Sequence, residues 1–249
     1  MRKIIMIPAR ISSKRLPNKV LLPLGDKTIL QRVYDQCIKV KDVDVYVATD
    51  SKKVKDHCSD FTENIIMTSH NHQSGTDRII EALNGFENFL IVNVQGDEPF
   101  IHPELIQNLF DELIQTSADV VTACERITNL QELFSPNVVK VVKNLSNHAL
   151  YFSRSEIPHI RNKEELLKDE IAFFQKNTFF KHVGIYGYTE EVLNKFQNLE
   201  NKTLESLESL EQLRILENGY VIKVIETKHR SVGIDTKADY EEALQSIKE

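Results

Sequence analysis

Arg10, Lys14, Arg15 and Lys19 crowd into one short loop that begins where an apolar run, residues 4–7, ends at Pro8. Cations gathered at the end of a buried strand suit a polyanion, because ligands of open α/β sheets bind beyond the carboxyl ends of the strands. Residues 9–19 contain no glycine, which excludes the Gly-rich dinucleotide turn and the Walker loop, both of which need glycine to let backbone approach phosphate. The same residues also read as a solvated basic loop.

A second apolar run, residues 89–94, breaks into Gln95-Gly-Asp-Glu-Pro99. Carboxylates at a strand end beside a cationic loop are placed to hold a divalent metal against phosphates, and Mg²⁺ favours carboxylate, water and phosphate oxygen together. Asp97 and Glu98 equally suit a turn. Asp235, in Ser231-Val-Gly-Ile-Asp-Thr236, follows another apolar stretch and reads either as a second metal carboxylate or as the N-cap of the last helix.

Other polar positions suggest a sugar or nucleoside. His70-Asn-His-Gln-Ser-Gly-Thr-Asp-Arg78 leads into a helix and offers Ser74 and Arg78 to a base or ribose. His70 and His72 lack further ligands at zinc spacing. His182, Gly184, Tyr186 and Tyr188 share one strand face by their period of two. Glu208, Glu211 and Gln212 share one side of an expected helix, a side that usually faces solvent. Arg154 has the fork for a carboxylate substrate or for a structural ion pair.

These positions need a scaffold, and the apolar periodicity supplies one. Strands are expected near 4–7, 43–48, 64–67 and 89–94, alternating with helices near 29–38, 52–58, 76–83 and 103–114. That alternation implies a parallel sheet with right-handed crossovers. The second half is less regular, with strands near 120–124, 138–142, 149–153, 183–188 and 221–225 and helices at 204–217 and 237–247. Residues 144–147 are turn-like and imply an antiparallel pair, while 161–177 reads as helix or loop.

With 249 residues and 41% hydrophobic content the chain has ample material for a core. Its net charge of −6 argues against nucleic acid, whose binders carry a basic face. No apolar run approaches the ~20 residues of a membrane span, and residues 1–5 lead directly into a strand, so a cytoplasmic location is expected. The three cysteines, Cys37, Cys58 and Cys124, are widely spaced and imply neither disulfides nor a zinc site.

Taken in order, Pro8-Ala-Arg-Ile-Ser-Ser-Lys-Arg-Leu-Pro-Asn-Lys19, His72-Gln-Ser-Gly-Thr-Asp-Arg78, Asn93-Val-Gln-Gly-Asp-Glu-Pro99, Tyr151-Phe-Ser-Arg154, His182-Val-Gly-Ile-Tyr-Gly-Tyr188 and Leu210-Glu-Gln-Leu-Arg214 resemble the 3-deoxy-manno-octulosonate (Kdo) cytidylyltransferases. The resemblance spans residues 4–242. It implies an α/β fold of the nucleotide-diphospho-sugar transferase type, a Rossmann-like three-layer sandwich with a mixed, mainly parallel sheet. A single domain over 1–249 is implied, with a dimerisation and sugar-binding portion within 125–225. The implied setting is a cytoplasmic homodimer on the route to lipopolysaccharide.

The implied reaction joins CTP and Kdo to give CMP-Kdo and pyrophosphate, with Mg²⁺ as cofactor. By similarity Arg10, Lys19, Asp97 and Asp235 are catalytic, and Asp97 and Asp235 ligate the metal. Ala9, Arg10, Arg15, Lys19, Ser74 and Arg78 match the nucleotide side. Gln95, Arg154, His182, Tyr186, Glu211 and Gln212 match the sugar side. Lys14 acquires no role and reads as surface charge.

Several positions depart from the family pattern: Ile11-Ser12, Asn18 where Gly is common, Asp26-Lys-Thr28, His159-Ile-Arg161 and His229-Arg-Ser-Val-Gly233. The first three sit at the nucleotide-side loop or its following helix; the last two bear on sugar specificity, which leaves an amino-substituted Kdo or a nonulosonate as alternative acceptors. A nucleotide-binding module without catalysis and a phosphate-binding structural protein are the readings from other classes.

Overall fold

A computed structural model describes residues 1–11, 15–72, 75–116, 118–161, 163–196, 198–200, 203–229 and 233–247. The first-half strands are β1 (Arg2–Ala9), β2 (Pro23–Leu24), β3 (Lys27–Thr28), β4 (Asp44–Thr49), β5 (Ile65–Met67) and β6 (Phe89–Asn93). They alternate with α1 (Ile29–Cys37), α2 (Lys52–Cys58), α3 (Gly75–Ala82) and α4 (Pro103–Thr116). The second half holds β7 (Val120–Ile127), α5 (Leu130–Phe134), β8 (Lys140–Lys143), β9 (Ala149–Ser153), α6 (Lys163–Lys168), α7 (Glu170–Lys176) and β10 (Phe179–Thr189). It closes with α8 (Glu190–Phe196), α9 (Thr203–Glu208), α10 (Gln212–Glu217), β11 (Ile222–Glu226) and α11 (Lys237–Ser246).

The principal sheet runs β11-β7-β10-β6-β1-β4-β5, with β8 and β9 attached through β10. Along that seven-strand path neighbouring strands are parallel except β10, which is antiparallel to both β6 and β7. The mixed, mainly parallel sheet is therefore as expected. Along β1, Ile5, Ile7 and Ala9 enter one core with α1, α2 and α4, while Ile4 and Met6 enter the other with α3, α8 and α10. Burial on both faces explains why the strand reads as a continuous apolar run, and it makes the three layers.

One expectation needs correction. Residues 204–217 do not form one helix. Ser209 adopts φ 53°, which separates α9 from α10. The left-handed conformation ends the helical ladder, and α10 starts afresh with Glu211 as its N-cap and Gln212 buried instead of continuing a solvent face. Residues 161–177, ambiguous in sequence, include α6 and α7. The β8–β9 pair is antiparallel as expected, turning at Asn147 with φ 60°.

Candidate active site

The loops at the carboxyl ends of β1 and β6 meet because the two strands are hydrogen-bonded neighbours. The chain leaves β1 at Ala9, passes Arg10, and enters a single 3-10 turn, Lys19–Leu21, whose N-cap Asn18 sits at φ 56°, ψ 25°. Asparagine tolerates this left-handed position where most residues do not. Asn18 thereby allows the backbone path that delivers Lys19.

Lys19 is buried and carries its ammonium into a carboxylate pair. Its Nζ hydrogen-bonds Asp97 and lies 2.8 Å from Asp235 Oδ1. Arg15 reaches the other Asp235 oxygen at 3.0 Å. Burial opposes charge on Lys19, but Asp97 and Asp235 outweigh it and raise the ammonium pKa. Burial likewise works to raise Asp235, and the Lys19 hydrogen bond, with Arg15 nearby, reverses this and lowers it.

Asp235 is spared from capping. Thr236 is the N-cap of α11, and Asp239 closes the box by accepting from the Thr236 N–H. The Asp239 carboxylate also accepts from the Asp235 N–H at 2.9 Å, and the Ile234 N–H donates to the Asp97 carbonyl at 2.9 Å. Two hard carboxylates converging on one compact cation suit Mg²⁺ as a donor set.

Beside this cluster lies a cavity of about 300 Å³ lined by Gln95, His182, Tyr186, Glu211 and Gln212, five of the six residues assigned to the sugar. Thr76, Asn93, Tyr188 and Ser209 complete its polar lining. Thr76 and Asn93 lie within the motif segments 72–78 and 93–99 and Tyr188 in the period-two set, whereas Ser209 had no sequence signal for a role. Two buried atoms here lack a hydrogen-bond partner, Tyr186 Oη and Gln212 Nε2. Buried polar groups are normally satisfied, so two orphans on residues lining one cavity point to a polar ligand.

His182 is held by Thr122. The Thr122 hydroxyl donates to the Ile185 carbonyl at 2.8 Å, leaving its lone pairs for His182 Nε2 at 3.0 Å. The irregular register between Val183 and Tyr186 along β7 creates this geometry. Burial pushes the imidazole pKa down to about 3, so it is neutral. Glu211 is raised by burial, against the hydrogen bond it accepts from Thr76 at 2.9 Å.

Arg154 stands apart from the other sugar-side residues. It lines the adjoining cavity of about 610 Å³, together with Arg15, Asp235 and His182. Its guanidinium donates to the carbonyls of Glu208, at 2.8 Å, and Pro136, at 3.2 Å, so here the fork braces α9. The same cavity is lined by Lys181, which bridges Glu125 and Glu132 at 3.0 and 2.9 Å.

On the nucleotide side, Arg10 is pulled down by burial and by Arg78, against the acids Glu211, Asp50 and Asp77, and as a guanidinium it stays charged. Arg78 is fully buried, its two terminal nitrogens held by Asp50 and Thr68, and only its Nε lacks a partner. It thus anchors the loop before α3 more than it presents a free face. Ser74 and Lys14 lie outside the described residues. His72 pairs with Glu81, and His70 lies 3.7 Å from Asp50.

A family model described as cytidylyltransferase matches residues 4–228. A 3-deoxy-manno-octulosonate cytidylyltransferase of Francisella tularensis subsp. novicida is 45% identical over 242 residues, 95% of each chain. One from Geotalea daltonii is 43% identical over 246 residues, 98% of this chain and 97% of its own. The chain belongs to the 3-deoxy-manno-octulosonate cytidylyltransferase family. A solved family structure, a CMP:2-keto-3-deoxy-manno-octonic acid synthetase complexed with CTP, superposes with a TM-score of 0.90 at 37% identity, covering 100% of this chain and 99% of that one. A glucose-1-phosphate thymidylyltransferase-like structure from Bacillus anthracis, at 15% identity and TM-score 0.68 over 98% of this chain and 94% of its own, shares the fold. The family's expected motif order is thus carried by an intact sheet, and the expected fold type holds.

Proposed function

We infer that this chain transfers CMP from CTP to the anomeric hydroxyl of Kdo and releases pyrophosphate. The observation that carries the reading is the convergence of Lys19, Asp97 and Asp235 beside a polar cavity holding His182, Tyr186, Glu211 and Gln212, in a chain of this family. Transfer at phosphorus is mainly positioning and charge stabilisation. Arg10, Arg15 and Lys19 neutralise the triphosphate and the departing pyrophosphate. The sugar sits against Gln95, His182, Tyr186, Glu211 and Gln212, oriented for in-line attack by its anomeric oxygen. The orphaned Tyr186 and Gln212 atoms gain their partners from its hydroxyls.

Asp97 and Asp235 hold Mg²⁺ in this reading, which polarises the reacting phosphate when bound. Lys19 then turns from the carboxylates to phosphate oxygen. The working unit is a cytoplasmic homodimer, with the sugar-binding and dimer-forming portion within 125–225. In support of an aqueous location, no described helix is long and apolar enough to cross a membrane.

The test is a pyrophosphate-release panel crossing CTP, UTP, ATP and GTP with Kdo, 8-amino-Kdo and a nonulosonate, with and without Mg²⁺. Release from CTP with Kdo, dependent on Mg²⁺, is expected. Turnover of a nonulosonate with none of Kdo would overturn the acceptor assignment.

A further inference from the structure

Apart from the catalytic cluster, His102, Glu104 and His229 bring their ligating atoms within 4.8 Å of one another, the one such set of three metal-binding side chains among the described residues. The two imidazole rings stack at 3.5 Å between centroids and 3° between planes. His229 Nε2 lies 3.1 Å from Glu104 Oε2, and the Glu104 N–H makes a long 3.3 Å contact with His102 Nδ1. That contact holds the His102 ring beside its partner and is weak enough to yield. The Glu104 side chain is 63% exposed and that of His229 37%, so ions can exchange with solvent.

Two imidazoles and one carboxylate make a nitrogen-rich donor set of the kind that binds Zn²⁺, with water in the remaining position. Imidazole suits Zn²⁺ and its transition-metal neighbours, whereas oxygen-only sets suit Mg²⁺. The donor set thus differs in class from Asp97 and Asp235. His102 and Glu104 follow Asp97 at the head of α4, and His229 precedes Asp235. The Ile234 N–H to Asp97 carbonyl bond already joins the same two segments.

We propose that His102, Glu104 and His229 form a second divalent-metal site, selective for Zn²⁺-class ions, which staples the segment carrying Asp235 to the head of α4. Binding turns one imidazole out of the stack so that both in-plane lone pairs meet the ion, replaces the His229–Glu104 contact and the Glu104 N–H contact on His102 by bonds to the ion, and releases any proton on the ligating nitrogens to solvent. The inference does not depend on the acceptor sugar or on the transfer reaction.

Chelator-stripped full-length protein, kept in excess Mg²⁺ to fill the aspartate pair, is titrated with Zn²⁺ against a chromophoric indicator. One equivalent is expected to bind and to raise the melting temperature. Affinity should fall at least about tenfold in His102→Gln and in His229→Gln, since even groups that only orient ligands cost that much. It should stay unchanged in Asp97→Asn. Co²⁺ in place of Zn²⁺ should give visible absorption that His229→Gln abolishes. Should either histidine variant melt differently without metal, Glu104→Gln, at an exposed position, replaces it in the comparison. Absence of stoichiometric Zn²⁺, or binding lost in Asp97→Asn and kept in His229→Gln, overturns the proposal.

Discussion

Asp235 Oδ1 sits 2.8 Å from Lys19 Nζ, and the same ammonium holds Asp97, so the side chain assigned to phosphate also stands between the two carboxylates assigned to metal. A divalent cation and this ammonium compete for the same oxygens. Replacing Lys19 by Met should therefore make Mg²⁺ alone raise the melting temperature more than it does in the unaltered chain, while lowering turnover of CTP. Equal Mg²⁺ shifts in both would mean that the ammonium does not occupy the metal position.

Removing charge from the pair tests catalysis directly. Asp235→Asn should cut kcat by at least about 100-fold, the scale on which a single electrostatic group acts in transfer chemistry. Circular dichroism should stay unchanged, because Thr236 and Asp239 keep α11 capped. Turnover near the normal rate would remove Asp235 from the machinery.

Acid and base should loosen the fold through different groups. Asp235 is lowered below its ordinary 3.8, so its stabilising contribution is present above that value and fades as pH falls through the folded-state pKa. Lys19 is raised above 10.5, and its contribution is present below that value and lost as pH climbs through the raised one. His182 acts earlier on the acid side. The unfolded imidazole takes a proton near 6.5 and the folded one near 3, so stability declines as pH drops below 6.5. In melting curves from pH 7 to pH 4, His182→Gln should show a shallower loss than the unaltered chain.

Tyr186→Phe should separate stability from binding. Its hydroxyl is buried without a hydrogen-bond partner, so deleting it should stabilise the ligand-free protein by about 1 kcal/mol. The Michaelis constant for the acceptor sugar should rise, with that for CTP little changed. A fall in melting temperature would show that the hydroxyl is already satisfied without a ligand.

Gly96→Ala probes the seam between the β1 and β6 loops. A Cβ there would come within 3.0 Å of the Pro8 carbonyl oxygen and 3.7 Å of Ala9 Cα, which are backbone atoms with little room to move. The displaced β1 loop should raise the Michaelis constant for CTP several-fold, measured by pyrophosphate release. An unchanged value would mean that the loop absorbs the methyl group.

The parallel part of the sheet was legible because its strands are buried on both faces and announce themselves as apolar runs such as residues 89–94. The sharp change at Gln95 marked the site for the same reason. The α9–α10 break was not legible, since Ser209 carries no residue-type signal for a left-handed turn, and the spacing of Glu208, Glu211 and Gln212 fits an unbroken helix equally well. Arg154 showed its charge but not its partners, which are backbone carbonyls of Glu208 and Pro136 brought in by the fold. The proximity of Asp97 to Asp235 was likewise available only through the family resemblance, because the two lie 138 positions apart in the chain until the sheet closes.

Strand β10 has a consequence for how the molecule is made. It fills the gap between β6 and β7, so during synthesis both of those strands emerge well before their shared neighbour. Until residues 179–189 leave the ribosome, two rows of backbone donors and acceptors stay unpaired. The nascent chain thus carries both open sheet edges from the completion of β7 at Ile127 until β10 is made, and the site becomes whole only when a late segment slides between two early ones.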